Sequence, residues 1–228
     1  MKKVLFIYLA FVIHSCKSQN EDQKEIEKIK QHYKMDNKHQ YNNLVQGESE
    51  TFNIKRFDES KNEAEDYNYE LPNGLIIREF GDQESGYYSE TKIKNSLFTI
   101  AKVFHTNSHI KSKGPMFKDD CEIGIWYDFD ESGKLIKELD LDKPFKIAIE
   151  DIIEYLKNNE AELFSSFTSI NRSYEQETKK AKWSLIYRGK YKDNLGMYMI
   201  EIDDSTAEII KVVKILGKEG EKEILFEK

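Results

Sequence analysis

Residues 67–145 contain several stretches in which apolar and polar side chains alternate, and this period of two predicts strands with one buried face. Asn73-Gly74 separates two such stretches and predicts a tight hairpin, because both residues tolerate positive φ. Residues 96–105 are rich in β-forming side chains, and residues 109–113 read as a returning edge strand whose lysines discourage further pairing. We therefore predict an antiparallel meander.

After residue 145, the apolar side chains recur with the spacing of a helix. Glu150 and Asp151 lie in the predicted first turn, where negative charge suits the helix dipole. Ala148 is a poor N-cap, so we expect the helix to be stabilised by packing against the sheet. The apolar stripe of this amphipathic helix consists of Ile149, Ile152, Ile153 and Leu156.

The last third of the chain returns to an alternating pattern. Trp183, Leu185 and Tyr187 alternate with polar residues, and Gly189 is the predicted turn after them. Residues 197–202 and 208–215 are further predicted strands. Between the two, we predict that Asp203 and Asp204 form a turn by hydrogen bonding to their own backbone.

The N-terminus has a different pattern. Lys2 and Lys3 precede an apolar run at residues 4–13, which is too short to span a bilayer as a helix. The sequence Ile13-His14-Ser15-Cys16 then resembles the lipobox of bacterial lipoprotein signal peptides. This resemblance implies cleavage before Cys16 and attachment of a diacylglycerol to its thiol. Cys16 is thus the predicted lipidation site and the contact with the membrane.

Residues 17–66 are highly charged and poor in apolar side chains, which predicts a polar tether. The Lys and acidic residues after Cys16 resemble the start of Bacteroidota lipoproteins. That resemblance implies an outer-membrane lipoprotein, on either the periplasmic face or the cell surface. Ile26, Ile29 and Tyr33 have helical spacing, which fits either a short helix on the body or a partner site.

The predicted fold class is α+β, a mostly antiparallel β-meander sheet with one main amphipathic helix packed on it, preceded by a signal peptide and a polar tether. The predicted divisions are a signal peptide (1–15), a lipid anchor and tether (16–66), a β-meander region (67–145) and an α+β C-terminal region (146–228).

Two hairpins resemble known families. Gly124-Ile125-Trp126-Tyr127-Asp128-Phe129-Asp130, followed by Ser132-Gly133-Lys134-Leu135-Ile136, resembles the unit of MORN-like repeats. The stretch Tyr198-Met199-Ile200-Glu201-Ile202-Asp203-Asp204-Ser205-Thr206-Ala207-Glu208-Ile209-Ile210 resembles the closing hairpin of PepSY-like domains, with Ala207 where that family has Gly. Both resemblances imply β-hairpins, and the first points to binding proteins of antitoxin type.

The first of these hairpins also contains a partial calcium-binding pattern. Asp128, Asp130 and Ser132, with Gly133 in sixth place, match the first half of a calcium loop. The twelfth position is Leu139 and lacks the bidentate Glu, so we predict a solvated turn and no metal. His105 and His109 are likewise predicted to be exposed turn residues that bind no metal, and we predict no cofactor.

The charge and the cysteine content of the chain limit its possible functions. Removal of Lys2 and Lys3 changes the formal charge from −7 to −9, with 33 basic against 42 acidic residues, which argues against nucleic-acid binding. Lipidation of Cys16 leaves Cys121 without an intramolecular disulfide partner, and we predict that Cys121 is buried.

We predict an envelope lipoprotein that acts as a non-enzymatic protein-binding module, of immunity or inhibitor type, with a partner of basic character. The alternatives are a hydrolase of envelope polymers, which needs a cleft with a perturbed acid, nucleophile or metal, and a structural envelope component without a dedicated ligand.

The anchor is testable by cell fractionation. Replacing Cys16→Ala removes the predicted lipid attachment, so the variant should leave the membrane fraction and appear in the soluble fraction. Cys121→Ala is the control and should stay with the membranes. A Cys16→Ala protein that remains membrane-bound would contradict the lipoprotein assignment.

Overall fold

The computed structural model of the protein describes residues 40–118, 120–217 and 220–228. The predicted signal peptide, the lipidation site Cys16 and the stripe at Ile26, Ile29 and Tyr33 lie outside these residues. Over the described part of the chain, no helix is both long enough and apolar enough to cross a bilayer.

Most of the described chain forms two antiparallel sheets. The first has the order β1-β2-β3-β4-β5-β7-β8, with β6 pairing with β5, and the second has the order β13-β12-β11-β10-β9. The strands of the first sheet are β1 Asp66–Glu70, β2 Leu75–Asp82, β3 Gly86–Ile93, β4 Phe98–Phe104, β5 Ile110–Phe117, β6 Cys121–Glu122, β7 Ile125–Phe129 and β8 Leu135–Asp140. Those of the second are β9 Ser169–Glu175, β10 Lys180–Tyr191, β11 Asn194–Asp203, β12 Ile209–Leu216 and β13 Glu221–Glu227.

The helical segments are short. A 3₁₀ helix at Gln40–Leu44 and the helix α1 at Ile54–Ser60 precede the first sheet, and the helix α2 at Ile149–Asn158 connects the two sheets. The predicted β-rich, antiparallel character is thus present. However, the structure has two sheets and two short helices where we predicted one sheet and one main helix, because the chain leaves the first sheet before α2 and starts a new one after it.

The main core lies between α2 and the two sheets. The predicted stripe of α2 is at most 2% exposed, and it packs against the second sheet. The first sheet adds side chains from its β5–β6 end to the same cluster, among them Phe117, Cys121 and Ile123. This shared core, in which Trp183, Leu185, Tyr187 and Tyr198 are fully buried, holds the sheets together.

The described part of the predicted tether is packed against the first sheet. Tyr41 joins the main core, while Phe52 and Phe57 join a second cluster with Tyr87 and Phe104. The segment is polar overall, but four of its apolar side chains reach buried positions, namely Tyr41, Val45, Phe52 and Phe57. Residues 40–66 are therefore part of the folded body.

A charge cluster, formed by the buried Lys113 with the partly exposed Glu50 and Lys102, holds this segment on the sheet. The prediction of an edge strand at residues 109–113 is wrong, because β5 lies between β4 and β7. Lys113 is 2% exposed, and its ammonium group donates to the Glu50 carboxylate at 2.5 Å and to the carbonyl oxygen of Glu48 at 2.6 Å. Lys102 donates to the other Glu50 oxygen.

These contacts set the pKa of Glu50. Burial alone would raise it, but hydrogen bonds from Lys102 and Lys113, together with their positive charges, bring the pKa below its ordinary value. The ionised carboxylate therefore stabilises the fold above the unfolded-state pKa of Glu50. This contribution is lost as the pH falls through the lower pKa of the folded state.

The second sheet corrects one predicted turn. β10 continues through Gly189 to Tyr191 and turns at Lys192 and Asp193, which have φ of 47° and 64° as a two-residue hairpin requires. Gly189 is needed for a different reason. A Cβ at this position would lie 2.6 Å from the carbonyl oxygen of Asn159, just after α2.

We predict that Glu50→Gln destabilises the protein by about 3 kcal/mol at pH 7, because Lys113 remains charged and buried without its carboxylate partner. The difference from the unmodified protein should shrink as the pH falls from the unfolded-state pKa of Glu50 through its lower pKa in the folded state. Urea unfolding at several pH values measures both effects.

Glu48→Gln is the matched control for this substitution. Glu48 is exposed and contributes its backbone carbonyl to the charge cluster, so losing the side-chain charge should change stability little. Equal effects of the two substitutions, or a Glu50→Gln deficit that does not depend on pH, would contradict the role assigned to Glu50.

Candidate binding groove between the two sheets

A groove opens where β6 and the end of the edge strand β8, both in the first sheet, face the edge strand β9 of the second. Its cavity has a volume of about 560 Å³, within the range of ligand-binding clefts. A second cavity of about 340 Å³ adjoins it and shares Asp140, Phe145 and Arg172. The larger cavity is lined by Met116, Asp120, Cys121, Glu122, Leu139, Asp140, Leu141, Pro144, Phe145, Asn171, Arg172, Tyr174 and Gln176.

Arg172 on β9 is fixed at the centre of the groove. One of its guanidinium nitrogens lies 2.8 Å from Asp142 and donates to the carbonyl oxygen of Glu122, also at 2.8 Å. The guanidinium carbon lies 4.4 Å from the ring centroid of Phe145 and 5.5 Å from that of Trp183. Since the side chain is only 6% exposed and held on several sides, the groove has a rigid floor.

Asp142, which follows β8, binds residues from three parts of the chain. Besides pairing with Arg172, its carboxylate accepts hydrogen bonds from the Tyr41 hydroxyl at 2.6 Å and from the Gly124 amide at 3.0 Å. Burial raises the pKa of Tyr41 strongly, and the hydrogen bond to Asp142 adds to this shift, so the phenol stays a donor at neutral pH.

Asp204 fixes the chain segment that follows Phe145 and leads into α2. We predicted that Asp203 and Asp204 both form a local turn, and Asp203 does so by accepting from the amides of Ser205 and Thr206. Asp204 differs from this prediction. It is buried, and it accepts from three distant donors: the amides of Lys146 and Ile147 at 2.8 and 3.0 Å, and the Trp183 indole nitrogen at 3.1 Å.

Cys121 is the thiol that lines the groove. Cys121 is buried as predicted, and burial raises the pKa of its thiol to about 11. The thiol is therefore protonated at neutral pH and reacts poorly. Partial shielding from water also raises the pKa of the Glu122 carboxyl, while the nearby Arg172 charge acts in the opposite direction.

The residues that match the partial calcium pattern do not line this cavity. Asp130 directs one carboxylate oxygen at its own turn, where it accepts from the Ser132 hydroxyl at 2.6 Å and from the amides of Ser132 and Lys134. The pKa of Asp130 is lowered, first by the hydrogen bond from Ser132. Asp128 is a strand residue of β7, paired with Ser112 and Lys137.

His105 and His109 flank the turn between β4 and β5, but both are half-buried and His109 forms an isolated β-bridge with Thr51, so they are not the exposed turn residues that we predicted. The amide of His105 donates to the carbonyl oxygen of His109 at 2.8 Å, which closes the turn between β4 and β5. Across residues 40–118, 120–217 and 220–228, no three His, Cys, Asp or Glu side chains are placed to hold a metal ion.

The groove was missed in the sequence because residues 158–181 are polar and lack a clear apolar pattern. Ile170, Arg172 and Tyr174 lie at every second position, as the inward-facing residues of a strand do. This alternation is hard to recognise in the sequence because Arg and Tyr count as polar residues, although both can bury their stems while the polar tip stays accessible.

Comparison of the chain with protein-family models, with curated proteins and with solved structures gave no match. The MORN-like and PepSY-like resemblances therefore stay predictions. Within the second hairpin, Ala207 adopts a φ of 57°, the left-handed conformation that the Gly of the PepSY-like pattern would adopt more easily.

Proposed function

We propose that the protein is an envelope lipoprotein that acts as a non-enzymatic protein-binding module, anchored to the outer membrane through Cys16. The observation that supports this most is the groove between β8 and β9. Its floor is held rigid by Arg172 and Asp142, and its walls combine apolar, aromatic and polar side chains, as binding sites do.

The exposed apolar side chains of β8 favour this function over a structural component without a ligand. Leu135, Ile136 and Leu139 are 40%, 63% and 40% exposed on an edge strand. Exposed apolar side chains and unpaired backbone groups on one strand are features of surfaces that pair with another chain.

Hydrolysis of envelope polymers is the less favoured candidate. The groove contains a thiol, but its pKa of about 11 and its burial disfavour nucleophilic attack. The carboxylate of Asp142 is engaged by three donors and is not poised to activate a water molecule.

The groove is tested by Leu139→Glu, which places a charge on its apolar wall. Full-length protein recovered from envelope extract should bring down a reproducible partner, and Leu139→Glu should reduce that recovery about 10-fold or more, the loss expected when a central interface contact worth 1.4 kcal/mol or more is removed.

Leu195→Glu is the matched control, with the same substitution at a leucine that is 70% exposed in the β10–β11 hairpin. It should leave recovery unchanged. The proposal fails if no partner is reproducible, or if Leu139→Glu and Leu195→Glu recover the partner equally.

A further inference from the structure

The groove has two strand edges as its borders, which restricts the shape of its occupant. Within the described residues, β8 pairs with β7 and β9 pairs with β10, and each strand ends its sheet. An edge strand leaves every second residue's N–H and C=O without a partner in the sheet. A segment in extended conformation can satisfy these groups by adding as a strand, which is a common mode of peptide recognition.

The length of β8 also suits an extended segment. Its six residues span about 20 Å at the usual rise of a strand. All six are exposed, and the cavity lies at its end, where Leu139, Asp140 and Leu141 form one wall. A segment paired along β8 would thus carry its end into the cavity, where individual side chains can be recognised.

The chemistry of the cavity wall determines which side chains of a bound segment it can accommodate. One part is apolar and aromatic, and it comprises Met116, Leu139, Leu141, Pro144, Phe145 and Tyr174. The acidic part comprises Asp120, Glu122 and Asp140, whereas the one basic side chain, Arg172, is already paired with Asp142. The cavity therefore presents a net negative charge beside an apolar surface.

Glu122 contributes to the preference of the cavity for a positively charged side chain. Its carboxyl group is partly shielded from water, which disfavours the ionised form. Glu122 is an exposed residue of β6, so a positively charged side chain of a partner can reach its carboxylate at the cavity wall.

We propose that the groove binds an extended segment of a partner protein, apolar in composition and containing at least one Lys or Arg, which adds as a strand along β8. The basic side chain lies against Asp120 and Glu122, and the apolar side chains pack on Phe145 and Tyr174. This proposal rests on the proposed function and specifies the chemical class of the partner segment.

Site-specific photocrosslinking in intact envelopes tests the proposal. Full-length protein carries the photoreactive residue p-benzoylphenylalanine in place of Tyr174 in the groove, or in place of the exposed Leu195 in the β10–β11 hairpin as the control. We expect an adduct from position 174 and none from position 195. Mass spectrometry of the adduct should identify a partner segment with Lys or Arg among apolar residues.

Charge dependence is tested in the same protein with the double substitution Asp120→Asn, Glu122→Gln. It should lower the yield of the adduct about 10-fold. The control pair Glu221→Gln, Glu223→Gln removes the same charge from β13, where both residues are exposed, and should leave the yield unchanged. Circular dichroism melting curves establish that each variant is folded.

The outcomes separate this proposal from the proposed function. An adduct at position 174 with a neutral or acidic partner segment, unaffected by the Asp120 and Glu122 substitutions, overturns the chemical class but leaves the groove as a binding site. An adduct with residues 28–39 of the same chain, which contain four lysines, overturns the partner assignment. Absence of an adduct at position 174, or equal adducts at both positions, overturns both.

Discussion

The buried ion pair between Asp142 and Arg172 connects the two sheets. The side chains are 14% and 6% exposed, so neither charge is well solvated, and removing one partner of such a pair typically costs about 3–5 kcal/mol. Because Asp142 also binds Tyr41 and Gly124, and Arg172 also binds the Glu122 backbone, one pair fixes the N-terminal segment, the β6–β7 connection and β9 together. The groove exists because these parts keep a constant spacing.

Polar contacts elsewhere have the same role of fixing how surfaces meet. Lys113 and Glu50 hold the N-terminal segment on the first sheet, and Asp204 holds the chain before α2 on the second. The apolar clusters supply most of the favourable burial, but burial is non-directional. Hydrogen-bonded charges require one geometry, and they therefore determine the position of the segments that border the groove.

Local structure was largely predictable from the sequence, while the contacts that build the groove were not. The hairpin at Asn73-Gly74, the buried stripe of α2 and the alternation in β10 depend on neighbouring residues, so their patterns are visible along the chain. The Lys113–Glu50 pair joins residues 63 positions apart, and Asp204 binds amides 57 and 58 positions away. Such partners become apparent only when the sheets are assembled. By contrast, the carboxylate of Asp130 in the calcium-like pattern binds only a few residues away, because it accepts hydrogen bonds within its own turn.

The most direct test of this account is a double-mutant cycle on Asp142→Asn and Arg172→Met, measured by urea unfolding. If the pair joins the sheets, each single substitution should be strongly destabilising and the double variant should lose less than the sum, with a coupling energy of about 2 kcal/mol or more. If the two effects add to within about 0.5 kcal/mol, the residues act independently, and the ion pair does not hold the sheets in place.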